Sequence, residues 1–277
     1  MAAGTGSDRA LQDAVIRLLA DAPFRAALRG DDRVHALDGI PPAHESALRA
    51  TDPERVRRFA HFLARGYYHE RIVHFYKYSR ILARWTGMRP ADVLRTADFD
   101  ALLDTIVLGS RESACAVAEL VEAALAEAPA APPYAADLLR YESAQMITEA
   151  GPRVWSSSAP PPALAPTTVA ATSPDVLVLD FEWDLPALLP TLLAVQAAPS
   201  APPSPPTATR RPTQLLFARS PRARVTVMRC TATLAALVAA MDGTRELHDI
   251  AVAAGITDRD VVEIASALAE AGAIHVA

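Results

Sequence analysis

Two histidines in an aromatic and basic segment come closest to a metal site. His69 and His74 flank the acidic residue Glu70 in a segment of helical pattern. A zinc-binding helix places its two histidines four residues apart on one face, whereas residues five apart point about 140° away from each other at 3.6 residues per turn. The two imidazoles therefore cannot chelate one ion by themselves. We interpret them as ordinary surface or core-edge histidines.

Neither serines nor carboxylates supply a clear catalytic pattern. Residues 109–113, Gly-Ser-Arg-Glu-Ser, lack the Gly-x-Ser-x-Gly spacing of a nucleophile elbow and are typical of a helix start. Asp180, Glu182 and Asp184 alternate along a predicted strand. A catalytic acid pair is one interpretation of that pattern, and a solvent-facing strand edge is the more common one. We therefore predict that the chain is not an enzyme and has no catalytic residue, metal ligand or cofactor of its own.

Composition narrows the class of protein. The 277 residues include 27 Lys and Arg against 32 Asp and Glu, a net charge of −5, so the basic excess of a nucleic-acid-binding protein is missing. Cys115 and Cys230 stand too far apart for a disulfide framework or a structural zinc site, which favours a reducing cytoplasm. No secretory signal or membrane-spanning segment is visible in the sequence. We expect a cytoplasmic protein without membrane or nucleic-acid partners.

Helical periodicity dominates residues 1–155 and predicts an all-helical domain. Apolar spacing indicates a first helix that ends near Pro23. Asp52 and Pro53 are typical of a helix start, and the following helix is expected over residues 55–85 with an interruption near Gly66. Ser110 or Ser113 can cap a further helix. Helices are also predicted at residues 43–50, 98–108, 114–127 and 132–151.

A different architecture is predicted after a linker rich in Pro, Ser, Thr and Ala at residues 156–174. Residues 176–183 alternate as a strand, residues 185–195 indicate a helix, and a mobile loop is expected at residues 197–212. Two strands joined near Ser220 form a hairpin, followed by three helices, the third capped by Asp258, and a last strand. The pattern of residues 175–277 thus predicts a small α+β, winged-helix-like domain, and the whole chain is expected to be mainly α.

Aromatic and basic residues on opposite faces of residues 67–78 suggest an interface with a partner protein. Helix burial explains only one face, and exposed Tyr and Arg are enriched in protein interfaces. Two tyrosines of residues 132–151 belong to the same hypothesis. The predicted interface residues are Tyr67, Tyr68, Arg71, Phe75, Tyr76, Tyr78, Tyr134 and Tyr141.

The second hairpin strand is the candidate peptide-binding element. Its alternation predicts that Ala223, Val225 and Val227 face the helices, with Arg222, Arg224 and Thr226 facing outward. At a sheet edge, its unpaired N–H and C=O groups can accept an extended peptide as an added strand, and its arginines can attract an acidic one. A covered hairpin with solvated arginines is the alternative. The predicted peptide-binding residues are Arg222, Arg224, Val225, Thr226, Val227, Val261, Ile264 and Leu268.

Two parts of the chain carry a family resemblance. Residues 133–142, Pro-Tyr-Ala-Ala-Asp-Leu-Leu-Arg-Tyr-Glu, look like a signature of the partner proteins of multinuclear non-haem iron-dependent oxidative enzymes in peptide natural-product pathways. The strand, helix and hairpin order of the C-terminal domain, with Met241-Asp242-Gly243-Thr244 and Gly272-Ala273-Ile274, is similar to the C-terminal module of those partners. That module resembles the PqqD-like recognition element of ribosomal peptide modification.

The resemblance implies a non-catalytic subunit that binds a precursor's leader peptide and presents the core to an iron-containing partner enzyme as a heterodimer. Residues 1–155 would dock the enzyme, and the iron would reside in the partner. Two alternatives remain open. The helical layout also fits a winged-helix DNA-binding regulator, although the third helix is acidic. The basic residues behind this alternative are Arg210, Arg211, Arg219, Arg222, Arg224 and Arg229. A helical metal-dependent enzyme would rest on His61, His69, His74 and the acids at 180–184.

Overall fold

The fold is mainly α with two small antiparallel sheets, which agrees in outline with the predicted fold class. A computed structural model describes residues 4–27, 44, 46, 48, 50–126, 128, 130–150, 163–197, 204–220 and 224–276. Two compact units are present: Met1–His74 with Met88–Leu125, and Phe75–Gly87 with Ala126–Ala277. No helix in these described ranges has the length and apolarity that a bilayer crossing requires.

The elements follow one another in a mostly helical first half and a mixed second half. In chain order they are α1 (Gly4–Ala20), α2 (Ala22–Ala27), α3 (Pro53–Phe75), α4 (Ser79–Thr86), a 3-10 helix (Pro90–Arg95), α5 (Ala97–Leu102), α6 (Arg111–Ala126), α7 (Ala135–Ala150), β1 (Val169–Thr172), β2 (Leu177–Phe181), α8 (Leu185–Ala197), β3 (Thr213–Arg219), β4 (Val225–Cys230), α9 (Ala232–Ala240), β5 (Asp242–Glu246), α10 (Leu247–Ala254), α11 (Asp258–Ala271) and β6 (Ile274–Val276). His44, Ser46 and Leu48 are helical as predicted, and the rest of residues 43–49 lie outside the described part.

Local capping signals set most of the helix boundaries. The Asp52 carboxylate accepts hydrogen bonds from the backbone N–H of Glu54 at 2.9 Å and of Arg55 at 3.4 Å, and α3 begins at Pro53 as predicted. The predicted interruption near Gly66 is wrong, because α3 continues to Phe75. One glycine costs a helix about 1 kcal/mol, which a helix of this length tolerates.

One predicted helix cap is confirmed and two helix ends differ in detail from the prediction. Of the two predicted caps for α6, Ser110 is the one observed, since its hydroxyl accepts a hydrogen bond from the Ser113 N–H at 3.1 Å. At α11 the capping side chain is Thr257 rather than Asp258, and it accepts from the Asp260 N–H at 3.2 Å. The helix predicted at residues 98–108 ends at Leu102 and is followed by turns.

Large buried side chains from α3, α5 and α6 form the interior of the first unit. The Tyr68 ring packs edge-on against Phe99 at 6.3 Å between centroids, and both residues are almost fully buried. An isolated bridge joins Asp21 and Val107, and the N–H of Leu108 donates to the Ala20 carbonyl at 2.8 Å. Further buried residues of this unit are Ile72, Leu103, Val117 and Val121.

The second unit has three layers around the antiparallel sheet β2-β3-β4. One face of the sheet, represented by Leu216 and Ala218, packs on α9, α10 and α11. The other face, represented by Leu215 and Phe217, packs on α4, α7 and α8. Because both faces are covered, nearly every side chain of β3 is buried.

The helices α4 and α7 explain why the second unit is larger than the predicted C-terminal domain of residues 175–277. Tyr141 of α7 meets Phe217 and Phe181 with ring centroids 5.6 Å and 6.4 Å apart. Tyr78 and Ile81, at the start of α4, join the same apolar cluster. Both helices fall within residues 1–155, yet their apolar faces are buried against the sheet of the second unit.

A second small sheet has the order β5-β1-β6 and was not predicted. Its central strand, β1, lies within residues 156–174, which the composition predicted to be a linker. Ala170 of β1 is fully buried, and Thr172 pairs with Ile274 of β6 about a hundred residues later. Residues 156–162 of the predicted linker and residues 198–203 of the predicted mobile loop lie outside the described part of the chain.

Candidate peptide-binding edge and interface residues

The strand β4 lies at an edge of its sheet. It pairs antiparallel with β3 through Phe217↔Val227 and Arg219↔Val225, and among the described residues no strand pairs with its other side. Along that free side, the outward N–H and C=O groups of β4 have no strand partner within the same described ranges. Such a row of backbone groups is what an extended peptide needs in order to add as a further strand.

The side chains of β4 point differently from the prediction. Val227 packs with the cluster of α4, α7 and α8, whereas Met228 packs with the cluster of α9, α10 and α11. Thr226 stands opposite Ala218 and therefore shares the face of Met228. The predicted division into an apolar inner face and an outer face with Thr226 is wrong, because helices cover both sides of this sheet. Arg222 and Ala223 lie outside the described residues.

The arginines near β4 have different environments. Arg229 donates to the Asp184 carboxylate at 2.6 Å, and Arg211 reaches the same carboxylate at 3.1 Å. Arg224 is exposed, and within the described residues its guanidinium meets no carboxylate. Its backbone closes the hairpin, since the Ser220 N–H donates to the Arg224 carbonyl at 2.8 Å. Arg224 is therefore an exposed cation at this end of β4 that a ligand can reach.

The residues predicted to wall the groove belong mostly to the core. Val261 and Leu268 of α11 are almost fully buried, and Ile264 is half-buried against the same cluster. They hold α11 against Leu216 and Ala218 of β3 rather than standing open beside β4. In this arrangement their packing positions the sheet.

An apolar groove of about 460 Å³ lies beside β2, at the other edge of the same sheet. The Thr172 hydroxyl donates to the Val238 carbonyl at 2.6 Å and fixes β1 against the end of α9. This groove was not predicted from the sequence, because alanines of α9 line it and their spacing is ordinary for a helix. Its lining residues are Ala171, Thr172, Val176, Val178, Ala235, Val238, Ala239, Met241 and Asp242.

Burial accounts for most of the predicted enzyme-interface residues. In the first unit Tyr68 is 1% exposed, whereas Tyr67 and Arg71 are half-buried, with the Arg71 guanidinium 5.0 Å from the Tyr67 ring centre. In the second unit five predicted residues are buried: Phe75, Tyr76, Tyr78, Tyr134 and Tyr141. Tyr76 is also hydrogen-bonded to the Ser143 hydroxyl at 2.8 Å. Core packing therefore accounts for more of these aromatic residues than the sequence predicted, since the prediction assigned only one helix face to the core.

A buried carboxylate, Glu142, was not singled out by the sequence. Its side chain is fully buried and accepts hydrogen bonds from the N–H of Tyr78 at 2.6 Å and of Ser79 at 3.1 Å. The Ser79 hydroxyl donates to it as well. Burial raises the pKa of Glu142 to about 8 although these donors favour the charged form. Glu142 thus takes the place of an N-cap side chain at the start of α4.

The acids of residues 180–184 each have a structural partner. Asp180 accepts a hydrogen bond from the Gln214 amide at 3.0 Å, and Glu182 pairs with Arg210 at 2.8 Å. Asp184 is buried between two arginines; burial opposes its charge, but the hydrogen bond from Arg229 leaves the pKa of Asp184 below its ordinary value. The contacts of Glu182 and Asp184 are ion pairs and that of Asp180 is a hydrogen bond to a neutral amide, and all of them fix loops and strand ends.

The histidines of the metal-enzyme alternative do not converge. His61 lies 3.0 Å from the Asp104 carboxylate, which Arg57 also binds, and His69 and His74 are exposed on α3. In the ranges that the structure describes, no three His, Cys, Asp or Glu side chains are grouped to hold a metal ion. The candidate recognition helix of the DNA-binding alternative, α11, has an acidic surface, since Asp260, Glu263 and Glu270 are exposed on it.

The sequence of the chain can be compared with known proteins. No protein-family model matches this chain, and no curated protein matches its sequence. The resemblance of residues 133–142 and of the C-terminal module to partner proteins of iron-dependent oxidative enzymes stays a prediction.

Proposed function

We propose that this chain is a non-catalytic partner subunit that binds the leader of a ribosomally made precursor peptide and presents its core to a multinuclear iron-dependent oxidative enzyme. One observation carries the proposal: β4 is an edge strand, and in the described residues its outer side has no strand partner. The kind of peptide is proposed from the resemblance of residues 133–142 and of the C-terminal module, from Val176 to Ile274, to such partner proteins.

Edge-strand addition would provide affinity mainly through the backbone. A peptide that pairs with β4 forms main-chain hydrogen bonds along Val225 to Cys230, and packing on both faces of the sheet keeps that strand rigid. Rigidity lowers the ordering cost of binding, because the receiving strand is already in place. Arg224 adds a charge at one end of the strand, so a leader with acidic residues at the matching end is favoured.

The first experiment titrates the full chain with synthetic leader segments of candidate precursor peptides, taken from any short open reading frames that neighbour its gene. Calorimetry should give a saturable heat, and hydrogen exchange should show slower exchange for the amides of β4 when the leader is bound. The amides of β2, at the opposite edge, are the internal control. Slower amide exchange at β2 alone would place the binding site at the groove beside α9 instead. Unchanged amide exchange at both edges would contradict strand addition.

A pair of charge reversals separates steering at β4 from general electrostatics. Arg224→Glu should weaken leader binding about tenfold, whereas Arg259→Glu, an exposed arginine of α11, should change it less than twofold. Equal effects of the two substitutions would contradict a local role for Arg224.

The partner role requires a second readout. The co-expressed iron enzyme should modify the precursor peptide, detected by its mass, at least tenfold faster in the presence of this chain. A modification rate that does not depend on the chain would contradict the proposed function, even if the leader bound.

A further inference from the structure

Two phenylalanines stand in solvent on one face of α3. Phe59 is 51% exposed and Phe62 is 70% exposed, and their rings stack with centroids 6.4 Å apart and an interplanar angle of 17°. The pair lies outside the buried core, and covering the exposed area of both rings would stabilise a complex. A contiguous aromatic surface of this kind marks a site of interaction.

These rings belong to an open groove of about 910 Å³ in the first unit. The apolar walls are Leu19 of α1 and Val56, Phe59 and Phe62 of α3. The residues 56, 59 and 62 follow one another at three-residue steps, so they form a short ridge along the helix. A groove with a ridge of this shape fits the apolar stripe of a second helix.

The rim of the groove is basic. Arg55 and Arg58 line it and are exposed, and neither guanidinium has a carboxylate partner in the part of the chain that the structure describes. Asp52, the acid at the rim, has its carboxylate turned to the first N–H groups of α3. By contrast, the neighbouring Arg57 is held by Asp104 at 2.8 Å. Two unpaired cations beside two exposed rings thus stand out in a chain whose net charge is −5.

We propose that the surface formed by Leu19, Arg55, Arg58, Phe59 and Phe62 docks an amphipathic helix of a partner protein whose apolar stripe is flanked by carboxylates. The Phe pair would anchor the apolar side chains, and the two arginines would select acidic flanks. This surface is independent of the leader site on β4, so either proposal can fail without the other.

The probe is a pair of synthetic 18-residue helical peptides with the same Leu and Phe stripe, one flanked by Glu and one by Lys. The Glu peptide should bind the full chain at least tenfold more tightly than the Lys peptide in fluorescence anisotropy, and its affinity should fall with added salt. Phe62→Ala should weaken the Glu peptide at least tenfold. Arg55→Glu with Arg58→Glu should reverse the preference.

Exposed positions allow matched controls for folding. Val252→Ser replaces another exposed apolar side chain, 68% exposed on α10, and should leave peptide binding unchanged. Thermal unfolding of the Phe62→Ala protein should match that of the unmodified chain, because Phe62 is outside the core. Binding of both peptides with equal affinity, or of neither at 1 mM, would overturn the proposal.

Two further outcomes would assign the surface to another occupant and would also overturn it. A dimer of the chain in sedimentation that Phe62→Ala dissociates would make the groove an interface between two copies. Binding to vesicles of phosphatidylglycerol and phosphatidylcholine through Phe59 and Phe62, without competition by the Glu peptide, would make the surface a membrane contact.

Discussion

Glu142 offers a sharp test of how the second unit is held together. Its carboxyl group accepts the N–H groups of Tyr78 and Ser79, which are themselves buried at the start of α4. Glu142→Ala removes the acceptor and leaves two buried backbone donors without this partner, and each such donor costs about 1–3 kcal/mol. We therefore expect this substitution to lower the free energy of unfolding by about 2–6 kcal/mol at pH 6.

The same residue predicts a pH dependence with a definite sign. Burial raises the pKa of Glu142 to about 8 from an ordinary value of 4.5. Between these values the native protein keeps a proton that the unfolded chain has lost, so stability falls as the pH rises. The slope is at most about 1.4 kcal/mol per pH unit. Glu142→Gln keeps an acceptor oxygen but cannot titrate, and it should remove this slope.

Urea unfolding of the three proteins at half-unit steps from pH 5 to pH 8 measures both effects. Glu119→Gln, an exposed glutamate of α6, is the control and should stay within about 0.5 kcal/mol of the unmodified chain. The reasoning is refuted if Glu142→Ala matches that control. It is equally refuted if the unmodified chain gains stability relative to Glu142→Gln as the pH rises.

Further substitutions test other contacts. Asp184→Asn should cost about 1–3 kcal/mol at pH 7, because it weakens the pair with Arg229. Since the pKa of Asp184 is lowered in the folded chain, urea unfolding should show this difference shrinking as the pH falls below the ordinary value of 3.8. Gly272→Ala should lower the midpoint temperature of thermal unfolding more than Gly255→Ala does. Both glycines have positive φ. An added Cβ at 272 would lie 1.9 Å from the Arg219 carbonyl oxygen, whereas one at 255 would have no atom within 4 Å. Equal costs would contradict the clash. Gly66→Ala should raise the free energy of unfolding by about 1 kcal/mol, measured in urea, because its site on α3 is helical and open.

The elements with local signals could be predicted from the sequence. Asp52 with Pro53 marks the start of α3, and Gly255 and Gly272 end α10 and α11 in the left-handed conformation that the rule for helix ends anticipates. The hairpin of β3 and β4 was also predicted, because its strands are close in the chain.

The candidate site was predicted only in part. The hypothesis of strand addition required β4 to lie at a sheet edge, and it does. The predicted directions of the Val227 and Thr226 side chains, however, differ from the observed ones. Alternation separates core from solvent only when one face of a sheet is exposed, and here α4 and α7 cover the second face. The exposed pair Phe59 and Phe62 was missed for a related reason, since a phenylalanine on a helix is usually assigned to the core.

The sequence by itself determined several helix ends, such as the start of α3 after Asp52 and the ends of α10 and α11 at Gly255 and Gly272, since a cap, a proline or a glycine acts within a few residues of itself. Only the tertiary structure decided that β1 joins β6, that Tyr141 is core and that Glu142 is buried at the start of α4. Those outcomes depend on segments far apart in the chain, and the free energy of their contacts appears only when the apolar faces of the second unit come together.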